Sequence, residues 1–342
     1  MTEQRPPLPP SAQLSSPTSE NEPQTTEVCV FLMDKNGINM QLKRPASKIT
    51  CQEILDRINS CLHRKRHLNV SNMRLHCECP STSATGSMRS NLSMTQDVRD
   101  QFSLQRTERL FALWMCSPLL EIQLKPQHRP FNLLCNWDEL LRRFACVKLE
   151  KNQGQIEQDT PSLSYQRNVY IGLGFEEQVD DPLVIKLLFE EAKENVLQGR
   201  YPLEMTELYQ LAALALRAEE QKSFQTKMHT QAYVAQRLEG LLPAHTLPQA
   251  SPLDFGLQRM RIAAKVLQLF KELPAELNAI DMHLNYLRIV REKPFYGAAF
   301  FQAQIERPVS ALGTLINHYD LKIWLAINTT GLHFIDRKAS VS

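Results

Sequence analysis

The strongest constraint on the fold is a central run of amphipathic helical segments, residues 180–293, between two stretches of strand-like sequence. Its first helix has a typical start, with Asp181 as a possible N-terminal cap and Pro182 at the first helical position, and it ends at Gly199. Narrow apolar stripes with charged opposite faces recur through the rest of the run. Such stripes indicate a small helical bundle, so the chain combines a helical lobe with β-rich parts on both sides.

The sequence before this run predicts a ubiquitin-like β-grasp lobe over residues 27–150. Apolar residues alternate on both sides of Asn36–Gly37, which is typical of a β-hairpin. Thr50 can cap the helix that follows, and Asn136 can cap a short helix near the end of the lobe. The predicted strands and helices cover residues 28–32, 38–42, 54–62, 110–116, 119–124 and 137–144. Their order is that of a β-grasp module.

Three segments around this lobe lack a core-forming pattern. Residues 1–26 are rich in Pro, Ser, Thr, Gln and Glu, which predicts a disordered arm. A loop as long as the insertion at residues 64–108 is either functional or disordered in a compact lobe, and its composition favours disorder. Residues 151–179 are interpreted as a linker to the helical lobe at 180–293.

Strand-like sequence returns after Pro294. Alternating or apolar runs occupy residues 295–305, 322–327 and 332–335. Three strands with unpaired edges do not make an independently stable sheet. Residues 294–342 therefore predict a partial β lobe, and the sequence does not decide whether this lobe folds.

Composition and charge exclude several classes of protein. The formal net charge of +2 gives no reason to expect nucleic acid as a partner. No apolar run approaches the ~20 residues of a membrane-spanning helix, and the N-terminus lacks the apolar core of a secretory signal. The eight cysteines lie in the first half of the chain, mostly within apolar stretches, which is typical of reduced, buried thiols. A cytosolic protein is expected.

No cofactor, metal or catalytic residue is predicted. His63, His67, His76, Cys77 and Cys79 are possible zinc ligands, but a lone Cys-x-Cys beside scattered histidines matches zinc ligation poorly, so unligated loop residues are favoured. The glycine pair at 172 and 174 lacks the third glycine of a dinucleotide site and indicates a turn. No recognisable catalytic motif occurs, and the acidic pair at 190 and 191 is interpreted as a solvated helix face.

A candidate contact surface lies in the first lobe. Its five basic residues could bind an anionic phosphoinositide headgroup or a partner protein. The alternative is ordinary mixed surface charge, because Glu121, Asp138 and Glu139 lie among them. The candidate residues are Lys125, His128, Arg129, Arg142 and Arg143. Separately, the polyproline-type segment Pro6–Pro9 could be bound by a WW or SH3 domain.

Three stretches carry a resemblance to a known family. Residues 294–301, PFYGAAFF, are similar to the P-x-Y-G-x-x-F-F stretch that opens the third lobe of FERM domains (band 4.1, ezrin, radixin, moesin). Residues 111–126 resemble part of the first lobe, and residues 187–202, LLFEEAKENVLQGRYP, part of the second. The resemblance implies an α+β fold of three lobes: a ubiquitin-like β-grasp lobe, an all-helical lobe like acyl-CoA-binding protein, and a truncated PH/PTB-like β lobe.

The resemblance also implies a function. FERM proteins of this kind are non-enzymatic scaffolds or adaptors that bind cytoplasmic tails of plasma-membrane proteins, so a cytoplasmic protein recruited to the inner face of the plasma membrane is expected. Some are associated with rhomboid pseudoproteases and with restraint of Wnt co-receptor signalling. The third lobe here is shorter than in the family, which puts peptide binding in the usual groove of that lobe in doubt. The alternative is a shortened isoform that competes in the cytosol with a full-length FERM adaptor.

Overall fold

The first lobe is built on a six-stranded sheet. The computed structural model describes residues 24–68, 76–77, 108–146, 149–219, 230–248, 252–305 and 321–337. The strands are β1 (Thr26–Leu32), β2 (Gly37–Leu42), β3 (His76–Cys77), β4 (Phe111–Cys116), β5 (Glu121–Gln123) and β6 (Ser162–Arg167). They lie in the order β3-β2-β1-β6-β4-β5. Apolar residues alternate along β1 and β2 and share a buried core with α1 (Cys51–Leu68).

The hairpin and helix caps predicted for this lobe from local sequence differ from the structure in two details. β1 and β2 form the predicted hairpin, but Lys35 rather than Gly37 has a positive φ, of 65°. Thr50 and Glu53 cap α1 reciprocally, since each side chain accepts a hydrogen bond from the other residue's amide. Asn136 occupies the N-cap position of the next helix, as predicted, but its side chain makes no capping bond and donates instead to the Asn132 carbonyl. The helices around it are α2 (Pro130–Cys135) and α3 (Trp137–Phe144).

Strand β6 is the largest difference from the sequence prediction. Residues 151–179, expected to be a linker, contain most of α4 (Leu149–Gln158) and all of β6. β6 lies between β1, to which it is parallel, and β4, to which it is antiparallel. Its sequence, SLSYQR, is short and mostly polar, so it lacks a clear strand signal although Tyr165 is fully buried. The sheet of the first lobe therefore extends to Arg167.

The middle of the chain is helical as predicted. The helices are α5 (Leu173–Glu176), α6 (Pro182–Leu197), α7 (Met205–Glu219), α8 (Gln231–Arg237), α9 (Pro252–Glu272) and α10 (Ala279–Arg291). Asp181 caps α6 by accepting from the amides of Leu183 and Val184, and Gly199, beyond its end, has φ of +66°. α7 contacts both α9 and α10, which makes a bundle. Within the described ranges, no helix is long and apolar enough to cross a bilayer.

A second sheet of three antiparallel strands follows the bundle. It consists of β7 (Ala299–Ile305), β8 (Leu321–Asn328) and β9 (Gly331–Asp336), in that order. One face carries Phe300, Trp324, Ala326 and Ile335, which are buried in the same continuous core as the other two lobes. This core is what holds three differently patterned segments together.

The cysteines agree only in part with the expectation of reduced, buried thiols. Cys51 and Cys116 are largely buried, and burial raises the pKa of the Cys51 thiol to about 12. Cys61 is disulfide-bonded. The expectation that all eight cysteines are reduced is therefore wrong.

Candidate functional site at the junction of the three lobes

A buried arginine at the end of β6 links the first lobe to the other two. The side chain of Arg167 is only 5% exposed. Its Nε donates to Glu176 Oε2 at 2.5 Å, and Glu176 ends the first helix after the sheet. Its Nη2 donates to the Ile171 carbonyl at 2.7 Å, and its Nη1 to the Gly297 carbonyl, at the start of the third lobe, at 3.3 Å. One side chain thus contacts the segments that lead into both remaining lobes.

Glu176 is the carboxylate at the centre of this junction. Its side chain is fully buried. Besides Arg167, it accepts from Arg291 Nε at 2.8 Å and from the Tyr296 hydroxyl at 2.7 Å, both at Oε1. Arg291 is the last residue of α10, so this carboxylate is bonded to side chains from all three lobes. Removing one partner from a buried ion pair typically destabilises a protein by about 3–5 kcal/mol, because a buried charge is left uncompensated.

Gly297 allows the arginine to approach the third lobe. It has φ of +67°, in the left-handed region that side chains disfavour. A Cβ at this position would lie 2.3 Å from Nη1 and 2.6 Å from Cζ of Arg167. The neighbouring Tyr296 stacks under the same guanidinium, whose Cζ is 5.4 Å from the ring centroid. The tyrosine and glycine of the PFYGAAFF stretch are therefore required by contacts with Arg167 and Glu176.

A second carboxylate, Glu191 on α6, completes the charge cluster. Its Oε2 accepts the backbone amide of Arg167 at 2.7 Å. Desolvation raises the pKa of Glu191 to about 7, although the bond from the Arg167 amide and the nearby guanidinium oppose this effect. The interpretation of Glu190–Glu191 as a solvated face is therefore wrong for Glu191, which joins the helical lobe to β6.

Arg200 forms a second link between the lobes. It follows α6 and is 8% exposed. Its Nη2 donates to Glu121 of β5 at 2.7 Å, and its Nη1 donates to Asn195 at 3.0 Å. Its Cζ lies 5.3 Å from the ring centroid of Phe300 and 5.2 Å from that of Trp324, both in the third lobe. The guanidinium therefore contacts all three lobes, as Arg167 does.

Comparison with known proteins identifies the family to which this chain belongs. The sequence profile of the FERM central domain matches residues 175–301, from the helix that carries Glu176 to the PFYGAAFF stretch. FERM domain-containing protein 8 of Xenopus laevis is 33% identical over 256 residues, 71% of this chain and 55% of that protein. The Homo sapiens protein is 33% identical over 241 residues, 67% of this chain and 50% of that protein. The chain belongs to the FERM domain family. It spans about half the length of the curated relatives it matches.

Solved FERM structures share the fold at low sequence identity. The human Myosin 7b C-terminal MyTH4-FERM domain, solved with a harmonin-a PDZ3 domain, has a TM-score of 0.55 at 13% identity, over 93% of this chain and 50% of that chain. The FERM domain of Drosophila Merlin, solved with its C-terminal domain, has a TM-score of 0.50 at 13% identity, over 92% of this chain and 77% of that chain. The predicted α+β FERM fold is confirmed. FERM domain proteins are in general non-enzymatic adaptors or scaffolds.

The predicted basic surface of this FERM chain consists of two groups on the first lobe. Lys125, His128 and Arg129 share the turn between β5 and α2, where the Lys125 amide donates to His128 Nδ1 at 3.3 Å. Arg142 and Arg143 lie in the last turn of α3. The four Lys and Arg side chains are exposed, His128 is partly buried, and within the described part of the chain none of the four forms an ion pair with a carboxylate. Binding by this surface stays a prediction.

Other predicted features are only partly placed by the structure. The arm with Pro6–Pro9 lies outside the described residues, as do the side chains of His67, His76, Cys77 and Cys79. Among the side chains that are described, no group of three or more His, Cys, Asp or Glu could hold a metal ion. Gly172 is the N-cap residue of the short helix α5 and Gly174 lies within this helix, so the predicted turn falls just before them, at residues 169–171.

The sequence prediction missed the junction residues themselves. Arg167 and Glu176 fell in the segment interpreted as a linker, and nothing in their spacing shows that they meet. Arg200 lies within the LLFEEAKENVLQGRYP stretch that resembles the FERM family, and this was the one available signal for it.

Proposed function

We propose that this FERM chain is a non-enzymatic adaptor that binds cytoplasmic tails of integral membrane proteins at the inner face of the plasma membrane. The observation that carries the proposal is the charge cluster of Arg167, Glu176, Glu191 and Arg291. These buried charges bond to one another and to backbone groups at Arg167, Ile171 and Gly297, which suits a rigid binding scaffold. The sequence resemblance to the FERM family makes the tails of rhomboid pseudoproteases and Wnt co-receptors the first candidates to test.

Recovery of membrane proteins tests the adaptor function. The full chain, tagged and expressed in cells, is cross-linked and purified from membrane extracts, and bound proteins are identified by mass spectrometry. Integral membrane proteins should be enriched, and peptides from their cytoplasmic tails should carry the cross-links. The E176Q variant, which weakens the junction, should recover fewer of them. Absence of membrane proteins from the wild-type sample would contradict the proposal.

A secondary contact with anionic headgroups is proposed for the basic surface of the first lobe. Lys125 and Arg129 are exposed and have no carboxylate partner within the described residues, so both are available to phosphates. Phosphoinositide vesicles should sediment the wild-type chain more strongly than the K125E/R129E variant.

The matched control for this contact lies in the helical lobe. R261E/K265E makes the same change of charge at exposed residues of α9. If both variants lose vesicle binding equally, overall charge rather than the proposed surface is responsible.

A further inference from the structure

A disulfide bond joins the long helix of the first lobe to another part of the chain. Cys61 of α1 is disulfide-bonded and only 1% exposed. The sequence has eight cysteines, and five of them are free. The free cysteines are Cys29, Cys51, Cys116, Cys135 and Cys146. Cys61 is therefore bonded to one of the two that remain, Cys77 or Cys79.

The pairing of β3 with β2 favours Cys77. β3 runs parallel to β2, with His76 opposite Asn39 and Cys77 opposite Met40. Directly paired residues of neighbouring strands lie on the same face of a sheet. Met40 is 3% exposed and belongs to the buried core, whereas Asn39 is exposed on the other face. Cys77 therefore occupies a register position on the core face of the sheet.

Cys61 lies on the side of α1 that packs against this core. Ile54, Ile58 and Cys61 recur at helical spacing, and all three are buried. They share the core with Met40 of β2. A disulfide requires Cα atoms within about 7 Å of each other, so its two cysteines have to come from facing surfaces. Cys61 on the helix and Cys77 on the sheet lie on such surfaces.

β3 is too short to be held by backbone hydrogen bonds alone. It has two residues, whereas strands usually have about three to ten. In the described part of the chain it pairs with two residues of β2. So few hydrogen bonds do not outweigh the conformational entropy that is lost when the strand is ordered. The position of β3 on the sheet therefore depends on a covalent bond to α1.

We propose that Cys61 and Cys77 form a reversible disulfide, which holds β3 on β2 when the pair is oxidised and releases β3 when the pair is reduced. Two molecules of a thiol of the glutathione class supply the electrons. The first thiolate attacks the protein disulfide and forms a mixed disulfide, and the second displaces the protein sulfur from it. The protein S–S bond breaks, two protein S–H bonds form with the two thiol protons, and the two thiols leave joined as a disulfide.

This device, which we call the β3 clasp, gives the first lobe two states. In a reducing compartment, thiols of this class keep the pair reduced, and β3 is released. The disulfide form of the same thiol oxidises the pair and closes the clasp again. The clasp involves α1, β2 and β3 and none of the charged residues of the junction. It goes beyond the proposed adaptor function and does not depend on it.

Peptide mapping identifies the bond. The full chain is dialysed against oxidised glutathione, its free thiols are alkylated, and it is digested without reductant by trypsin and by a protease that cleaves after glutamate. Cleavage after Glu78 places Cys77 and Cys79 on separate peptides. The peptide with Cys61 should be linked to peptide 75–78. A link to the peptide that begins at Cys79, or no link at all, would overturn the pairing.

Hydrogen exchange tests whether the bond holds β3. Amides of β2 are followed by mass spectrometry in the oxidised chain and after addition of reduced glutathione. Exchange of the β2 amides that face β3 should become at least tenfold faster on reduction of the wild type. C77S should exchange at the faster rate before and after reduction. The matched control is C79S, two residues along the chain, which should behave as the wild type does.

Two results of the exchange experiment contradict the β3 clasp. Exchange in β2 that is the same in both redox states would show that β3 is held without the bond. Faster exchange in C79S as well as in C77S would assign the effect to any loss of a thiol near β3 rather than to the pair. Because the mapping and the redox comparison use the wild type alone, they decide the question even if C77S does not fold.

Discussion

Substitution of Gly297 by alanine should separate the third lobe from the junction. The added Cβ would lie 2.3 Å from Arg167 Nη1, far inside van der Waals contact. The end of an arginine usually moves away from such a clash, but this guanidinium is held by Glu176 and by the Ile171 and Gly297 carbonyls. The alanine therefore has to displace the arginine from its carboxylate or change the backbone.

The expected cost follows from two effects. A non-glycine residue in the left-handed region costs about 1–2 kcal/mol. Displacing Arg167 from Glu176 leaves a buried charge uncompensated, at about 3–5 kcal/mol. The two effects together make G297A about 4–7 kcal/mol less stable, a large part of the 5–15 kcal/mol of a typical domain.

Urea unfolding followed by tryptophan fluorescence measures this cost. Trp324 lies in the third lobe and Trp114 and Trp137 lie in the first, so a W114F/W137F background isolates the Trp324 signal, whose transition should move to lower urea in G297A. The control is G174A, where an added Cβ meets no atom within 4 Å, and which should be as stable as the wild type or up to about 1 kcal/mol more stable. A G297A variant within about 0.5 kcal/mol of the wild type would refute the contact between Gly297 and a fixed Arg167.

Three further substitutions test other parts of the junction and the bundle. E191Q should flatten the dependence of the melting temperature on pH. Burial raises the pKa of Glu191 to about 7, above its usual value near 4.5. Protonation of Glu191 therefore adds stability to the wild type as pH falls from about 8 to 5, and a glutamine cannot contribute this stability. An unchanged pH profile in E191Q would contradict this. R200K should cost about 2 kcal/mol and shift Trp324 emission, because lysine keeps the charge opposite Glu121 but loses the planar guanidinium over the Trp324 ring. Unchanged emission would argue against that contact. D181A should cost about 1 kcal/mol in urea unfolding, since α6 loses its cap, and a cost near zero would contradict the capping role.

Local sequence signals predicted much of the fold because they depend on near neighbours. Asp181 followed by proline marks the start of α6, and the alternation around residues 28–42 marks the hairpin. β6 was missed because a short, polar strand between β1 and β4 is stabilised by its neighbours rather than by its own pattern. The division of the chain into the stated domain ranges stays a prediction.

The junction could not be predicted for a related reason. Arg291 lies 115 residues from Glu176 in the sequence, and each of the three charges, Arg167, Glu176 and Arg291, would be an ordinary surface charge on its own element. Only the approach of the three lobes buries them together. Tyr296 and Gly297 were visible as part of a family stretch, but their role depends on partners elsewhere in the chain.

Hydrogen exchange of the E176Q variant tests most directly whether buried charges join the three lobes into one unit. Glutamine keeps the shape of Glu176 and removes its charge, which leaves Arg167 and Arg291 uncompensated. Mass spectrometry should show faster amide exchange in β6, α10 and β7 together, relative to wild type. Faster exchange confined to α5, with the other elements unchanged, would show that the lobes are held together without this carboxylate.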